Sequence, residues 1–187
     1  MILAPSIVIT GQWTPVTTLA PDSVGTTLTA PQIVKVSVDD NNFVTSSGGG
    51  GLGYRSAFQT NEEGITQLVV NASTNNYGPN QAAAHLHVWN FTTAEWSASL
   101  NTFAAGSKQS GSGTIETPAD YINGTGLVYA LLVEEPTQFQ RAYDLYFISL
   151  TTTAPASGGG GVLKGPGYGA IQNGNDQDAT EPGIYNI

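Results

Sequence analysis

The chain has no cysteine among its 187 residues, which excludes a disulfide framework, a thiolate nucleophile and a thiolate metal site. It is also short of charge. Charged residues make up 10% of it, against about 25% in an ordinary soluble domain. That charge is lopsided, with 5 Lys and Arg against 14 Asp and Glu and a net of −9. The five cations, Lys35, Arg55, Lys108, Arg141 and Lys164, are scattered along the chain. They cannot form a phosphate-tracking surface, so nucleic acid and anionic membrane are excluded as partners. No apolar run approaches the roughly 18 to 20 residues of a membrane-spanning helix, and no segment has the periodicity of a three-turn helix. The first residues lack a basic region, and Pro5, Thr10, Gly11 and Gln12 interrupt the apolar ones, so they do not read as a signal peptide. The expectation is a protein made and kept in a cytoplasm, or assembled there into something larger. Removal of a leader would instead make it secreted or surface-bound.

What is present excludes disorder: 40% of the residues are apolar and 9% aromatic. At about 150 residues per domain the length fits one domain, or one domain with an arm. Period-2 patterns dominate. They predict strands at Ile7-Val8-Ile9, Trp13 to Leu19, Ile33 to Val38, Tyr54 to Phe58 and Gln67 to Val70. His85 to Phe91 and Trp96 to Leu100 form a hairpin around Thr92 to Glu95. Leu127 to Val133 and Tyr143 to Leu150 are the strongest strands, and Ser107 to Gly113 reads as a Ser/Gly loop. Gly48 to Gly51 and Gly158 to Gly161 are four-glycine runs. Past Thr153 the composition turns to Gly, Asn, Asp and Pro with isolated Leu163, Tyr168, Ile171 and Tyr185. Such a segment buries too little apolar surface to fold alone. The division is therefore a globular domain at 1–153 and an extended Gly-rich C-terminal arm at 154–187. About ten short strands with Gly, Pro and Asn turns predict an all-β fold, a two-sheet antiparallel β-sandwich of jelly-roll type. An immunoglobulin-like sandwich is the alternative, without the Cys–Trp–Cys spacing of that family.

Three stretches carry a resemblance. Val88-Trp89-Asn90-Phe91-Thr92-Thr93-Ala94-Glu95-Trp96 reads as apolar, aromatic, Asn, aromatic, turn, Trp. Tyr121-Ile122-Asn123-Gly124-Thr125-Gly126-Leu127-Val128 is a turn feeding a strand, and Tyr143-Asp144-Leu145-Tyr146-Phe147-Ile148-Ser149-Leu150 is a closing strand with Asp near its start. Together they resemble jelly-roll β-sandwich modules of the kind found in phage virion structural proteins and in carbohydrate-binding domains. The resemblance covers about a third of the chain, rests on turn and core signals, and implies a fold more than a function.

Candidate site residues are few. His85 and His87, at i and i+2 of a strand, share a face on which two imidazoles can meet a metal; the plainer reading is a polar strand face beside Trp89. Asp39-Asp40-Asn41-Asn42, and Asp176 and Asp178 with Asn173, Asn175 and Glu181, offer oxygen ligands for a structural calcium. They lack EF-hand spacing and equally suit turns. Trp13, Trp89 and Trp96 would stack on sugar rings if exposed, or pack as core and cross-strand pairs. Glu134-Glu135, Glu62-Glu63 and Glu95 with Glu116 could in principle supply the carboxylate pair of a glycoside hydrolase, but adjacent glutamates on a strand point to opposite faces. No nucleophile elbow or phosphate-cradling loop occurs. Asn71, Asn90 and Asn123 lie in N-glycosylation patterns. The expectation is a non-enzyme without a cofactor, calcium aside: a virion structural protein, such as a capsid decoration (cement) subunit or tail component. Its partners would be other virion subunits and copies of itself. The alternative is a carbohydrate-binding or receptor-binding jelly-roll module with a glycan partner.

Overall fold

The computed structural model describes residues 1–13, 20–21, 25–48, 51–77, 82–134 and 141–155. The expected strand beyond Trp13, most of the arm at 154–187, and Asp176 and Asp178 lie outside the described residues. Met1–Ala154 forms one compact unit.

That unit is an antiparallel β-sandwich of jelly-roll type. Its first sheet has five strands: β1 (Ile2–Leu3), β4 (Val44–Gly48), β6 (Gln67–Tyr77), β10 (Gln109–Ile115) and β12 (Arg141–Thr153). The order is β1-β12-β6-β10, with β4 also on β12. The second sheet has seven strands: β2 (Ile7–Gln12), β3 (Thr26–Thr27), β5 (Leu52–Gln59), β7 (Ala84–Asn90), β8 (Glu95–Trp96), β9 (Asn101–Phe103) and β11 (Leu127–Glu134). Its order is β3-β2-β5-β11-β7-β8, with β9 on β7. The long strands alternate between the sheets as the chain advances, so nearly every connection crosses the sandwich. The core lies between the sheets, where alternate residues such as Leu68, Val70 and Ala72 of β6 face Val128, Ala130 and Leu132 of β11. Tyr54 ties the layers together: its hydroxyl lies 2.8 Å from the Val44 carbonyl and 2.7 Å from that of Tyr143.

Three expectations are corrected. Residues 33–38 do not form a strand; α1 spans Ala30–Val36. Pro31 suits a first helical turn, and Gln32 Oε1 accepts the Thr29 amide at 2.8 Å and its hydroxyl at 2.9 Å, so the start is capped locally. The helix buries Val36 and half-buries Ile33 while Val34 stays 67% exposed. The apolar alternation that reads as a strand is thus satisfied by one side of a short helix. Nor is the Ser/Gly stretch a loop throughout. Residues from Gln109 on form β10, an edge strand in register with β6 from Gln109–Thr74 to Ile115–Leu68. Gly113 pairs with core-facing Val70, and a Cβ there would stand 2.6 Å from Leu100 Cβ. Glycine is present because Leu100 fills the space a side chain would take. The hairpin partner after Thr92–Glu95 is also shorter than expected, only Glu95–Trp96, with β9 following separately.

Candidate functional site

An open cleft of about 630 Å³ lies on the outer face of the five-stranded sheet. Its floor follows from strand alternation. With Val70 and Ala72 turned into the core, Asn71 and Ser73 of β6 point out, and so do Ser110 and Ser112, their register partners on β10. On β12, Ile148 and Leu150 face the core and leave Ser149 and Thr151 outward. The floor groups are already joined. Asn71 Nδ2 lies 3.2 Å from Thr151 Oγ1 and 3.4 Å from Ser149 Oγ, and the Ser110 hydroxyl donates to Ser73 Oγ at 3.0 Å.

A bulge supplies the aromatic part. The β12–β6 register shifts between Leu145 and Phe147. Two residues, Tyr146 and Phe147, therefore stand outside the core between core-facing Leu145 and Ile148. Phe147 lines the cleft. Tyr146 packs on Phe43 with ring centres 5.0 Å apart and carries the Lys108 ammonium 4.8 Å above its ring. Lys108 Nζ donates to Asp39 Oδ1 at 2.9 Å and to Asn41 Oδ1 at 2.8 Å. The connection after α1 is thereby latched to the start of β10, with Asp39 on the cleft wall. Beyond Phe147 the same outer face continues to Asp144, paired in register with Asn75 and Thr45. Burial pushes the Asp144 carboxyl above its usual range, opposed by donors from the Thr45 hydroxyl at 2.7 Å and Tyr77. The Asn75 Oδ1 beside it is buried without a hydrogen-bond donor.

The residues singled out in the sequence are distributed differently. Trp13, Trp89 and Trp96 do come together, but as interior residues. With Leu131 and Val133 they form a second apolar cluster, each at most 8% exposed. Leu131, Val133 and Trp89 alternate with core-facing Leu132 and Val88, so this cluster lies on the outer face of the seven-stranded sheet. Trp89 and Trp96 pack edge to face at 5.2 Å between ring centres. Gly53 makes room for Trp13, since a Cβ there would lie 2.9 Å from the indole Cδ1. Buried as they are, the tryptophans offer no stacking platform to a ligand.

His85 and His87 share one face of β7, as their spacing predicts, with ring centres 6.4 Å apart. Burial first, and then the neighbouring His85, hold the His87 imidazole below its usual pKa, while the Ser97 carbonyl acts the other way. Asp39 is engaged by Lys108. The Asp40 carboxylate accepts the Asn42 amide at 3.0 Å and its Nδ2 at 2.7 Å, which holds its pKa down. The stretch from Asp39 to Asn42 thus serves as a turn, with Asn41 in the left-handed region at φ 67°. Among the described residues no three His, Asp or Glu side chains gather to hold a metal. The glutamates are dispersed. Glu134 is buried and accepts the Leu52 amide at 3.3 Å, Glu62 accepts the Thr152 hydroxyl, and Glu116 is bonded by Gln67. Of the cleft residues the sequence analysis singled out only Asn71 and Asp39, each for another role. The Asn71-x-Ser73-x-Asn75 alternation against Val70 and Ala72 is the signal that marks them.

No protein-family model matches the chain, and no curated protein matches it. Solved structures do. One, described as "CBM4 structure and function", has a TM-score of 0.45 at 6% identity, over 78% of this chain and 86% of that one. Another is the Clostridium thermocellum N-terminal endo-1,4-beta-D-xylanase 10B, CBM22-1-GH10 modules complexed with xylohexaose. It has a TM-score of 0.37 at 11% identity, and 64% of this chain covers 27% of that one.

Proposed function

We propose that the protein is a non-catalytic glycan-binding β-sandwich, and that the glycan lies in the cleft on the outer face of the five-stranded sheet. One observation carries this reading: an open cleft floored by neutral hydroxyls and an amide, already linked to one another, beside an outward phenyl ring. A sugar presents many hydroxyls that both donate and accept, and apolar ring faces between them. Ser and Thr hydroxyls match the first because each can donate or accept, and Asn71 adds a donor and an acceptor. Phe147 matches the second. The volume of about 630 Å³ falls inside the roughly 300–1,000 Å³ of small-ligand sites. The mutual bonding of the floor groups lowers the entropy lost when they meet a ligand. The low charge fits as well, because a neutral ligand needs no charged partner.

The test is calorimetric titration with a panel of soluble oligosaccharides, followed by replacement of floor residues. Phe147→Ala and Asn71→Ala are each expected to weaken binding about tenfold, the loss of about 1.4 kcal/mol of contact. A chain that binds no member of the panel, or variants that bind as well as the parent, would sink the proposal. The virion role draws on residues 154–187, almost all outside the described ones, and no observation on the described residues favours it.

A further inference from the structure

The cleft has neutral groups along its floor, and Asp39 is its one charged lining residue. Asp39 belongs to the connection between α1 and β4, and Lys108 holds that connection in place. Lys108 immediately precedes β10 and reaches three partners on two other segments. Its ammonium donates to Asp39 Oδ1 at 2.9 Å and to Asn41 Oδ1 at 2.8 Å, and lies 4.8 Å from the centre of the Tyr146 ring. The turn it grips is closed within itself, the Asp40 amide donating to the Val38 carbonyl and the Asn42 amide to the Asp40 carboxylate, each at 3.0 Å. The ring it covers belongs to the bulge residue beside Phe147, and Phe43 packs on that same ring at 5.0 Å. Register puts this pin at the head of the cleft: Ser110, two residues on, pairs with Ser73, and Ser73 pairs with Phe147. Lys108 thus joins the Asp39 wall, the start of β10 and the bulge that presents Phe147.

We propose that Lys108 is the positioning residue of the cleft, setting its affinity for the glycan of the proposed function, on which this inference rests. A wall already held in place loses less entropy when a ligand packs against it. The pin also gives binding a dependence on salt that the rest of the site lacks. A neutral sugar meeting hydroxyls, an amide and a phenyl ring carries no charge for salt to screen. The ion pair from Lys108 to Asp39 is screened, because its side chains are 30% and 47% exposed. Its attraction falls as the Debye length shortens from about 10 Å at 0.1 M salt to about 3 Å at 1 M. The site is therefore tightest at low ionic strength.

The experiment is calorimetric titration of the full chain with an oligosaccharide it binds, at about 0.1 and about 1 M sodium chloride, alongside Lys108→Met and Lys108→Arg. Amide hydrogen exchange of Asp40 and Asn42 is followed without sugar. The parent should bind about threefold more weakly at high salt. Lys108→Met keeps the aliphatic stem and loses the charge. It should bind about fivefold more weakly at low salt, lose the salt response, and exchange both amides faster. Lys108→Arg keeps a cation able to bond Asp39 and stack on Tyr146, and should recover most of the affinity. Melting of each variant checks its fold, and the salt response of the unaltered chain is decisive if one fails to fold. A parent that binds sugar equally at both salt levels, or a folded Lys108→Met that binds as the parent does, overturns the positioning role and leaves the cleft reading standing. Absence of binding to every oligosaccharide strikes the cleft reading itself, and this role with it.

Discussion

The two outer faces of the sandwich are built on the same lattice and end in opposite states. On the five-stranded sheet the outward positions carry Asn71, Ser73, Ser110, Ser112, Ser149 and Thr151 and stay open as a cleft. On the seven-stranded sheet the equivalent positions carry Leu131, Val133 and Trp89, buried with Trp13 and Trp96. Both faces arise from alternation behind a shared core, and the bulge at Tyr146 and Phe147 is the one backbone departure noted on the polar face. Side-chain chemistry distinguishes them. Apolar rings and branched chains leave water, at about 1.5–3 kcal/mol for each large side chain buried. Hydroxyls and amides gain little by being covered, and on this face they line a cleft with Ser73 and Ser149 buried in its floor. The apolar face therefore serves stability, and the polar face is the one proposed to bind a ligand.

That division can be broken by mutation. Trp89→Ala should have the largest effect, a loss of about 3–5 kcal/mol in urea denaturation as the indole leaves a cavity beside Trp96. Glycan affinity of the folded fraction should stay unchanged. A matching loss of affinity would join the two faces into one functional unit. Gly53→Ala on the same face should cost about 1–3 kcal/mol. Its Cβ would stand 2.8 Å from the Leu132 carbonyl oxygen and 2.9 Å from Trp13, and the same denaturation measurement reads it. Full stability in this variant would show that Trp13 can move off the sheet without loss.

The smallest effect belongs to the polar face and is one of pH. Burial raises the Asp144 carboxyl above its ordinary 3.8, so the folded protein holds this proton more tightly than the unfolded chain does. The stability contributed is complete below that unfolded value and is lost as pH rises through the folded one. Asp144→Asn keeps an acceptor for the Thr45 hydroxyl and removes the ionisation. Denaturation curves between about pH 3 and 6 should therefore fall less steeply with rising pH in the variant than in the parent. An unchanged slope would place the carboxylate in ordinary contact with water.

Much of this was legible along the chain. The hairpin from Val88 to Trp96 forms, with Asn90 Oδ1 accepting the Thr92 and Thr93 amides at 2.9 Å each. The turn at Asn123 likewise closes on its own side chain, which accepts the Leu127 amide at 2.8 Å. Such bonds span two to four residues, so a local reading finds them. Residues 33–38 misled because β-branched residues at alternate positions favour strands, while the capping of Thr29 by Gln32 favours a helix. Gln109 to Ile115 misled because Ser and Gly have poor strand propensity; pairing with β6 and the filling of space by Leu100 overrule it. Trp13, Trp89 and Trp96 were readable as platform or core, with core the more usual role of strand tryptophans, and their joint burial places them in the core.

The sequence by itself determined the all-β class, the strongest strands and their inward and outward alternation. These follow from composition and from a side-chain period of two, both properties of neighbouring residues. Tertiary structure decided which outward face closes and which stays open. The cleft needs Asn71, Ser110 and Ser149 brought side by side from three strands, and the bulge at Tyr146 needs β6 as its partner. Register between distant strands is set by the packing of a common core, and no local stretch of sequence contains it.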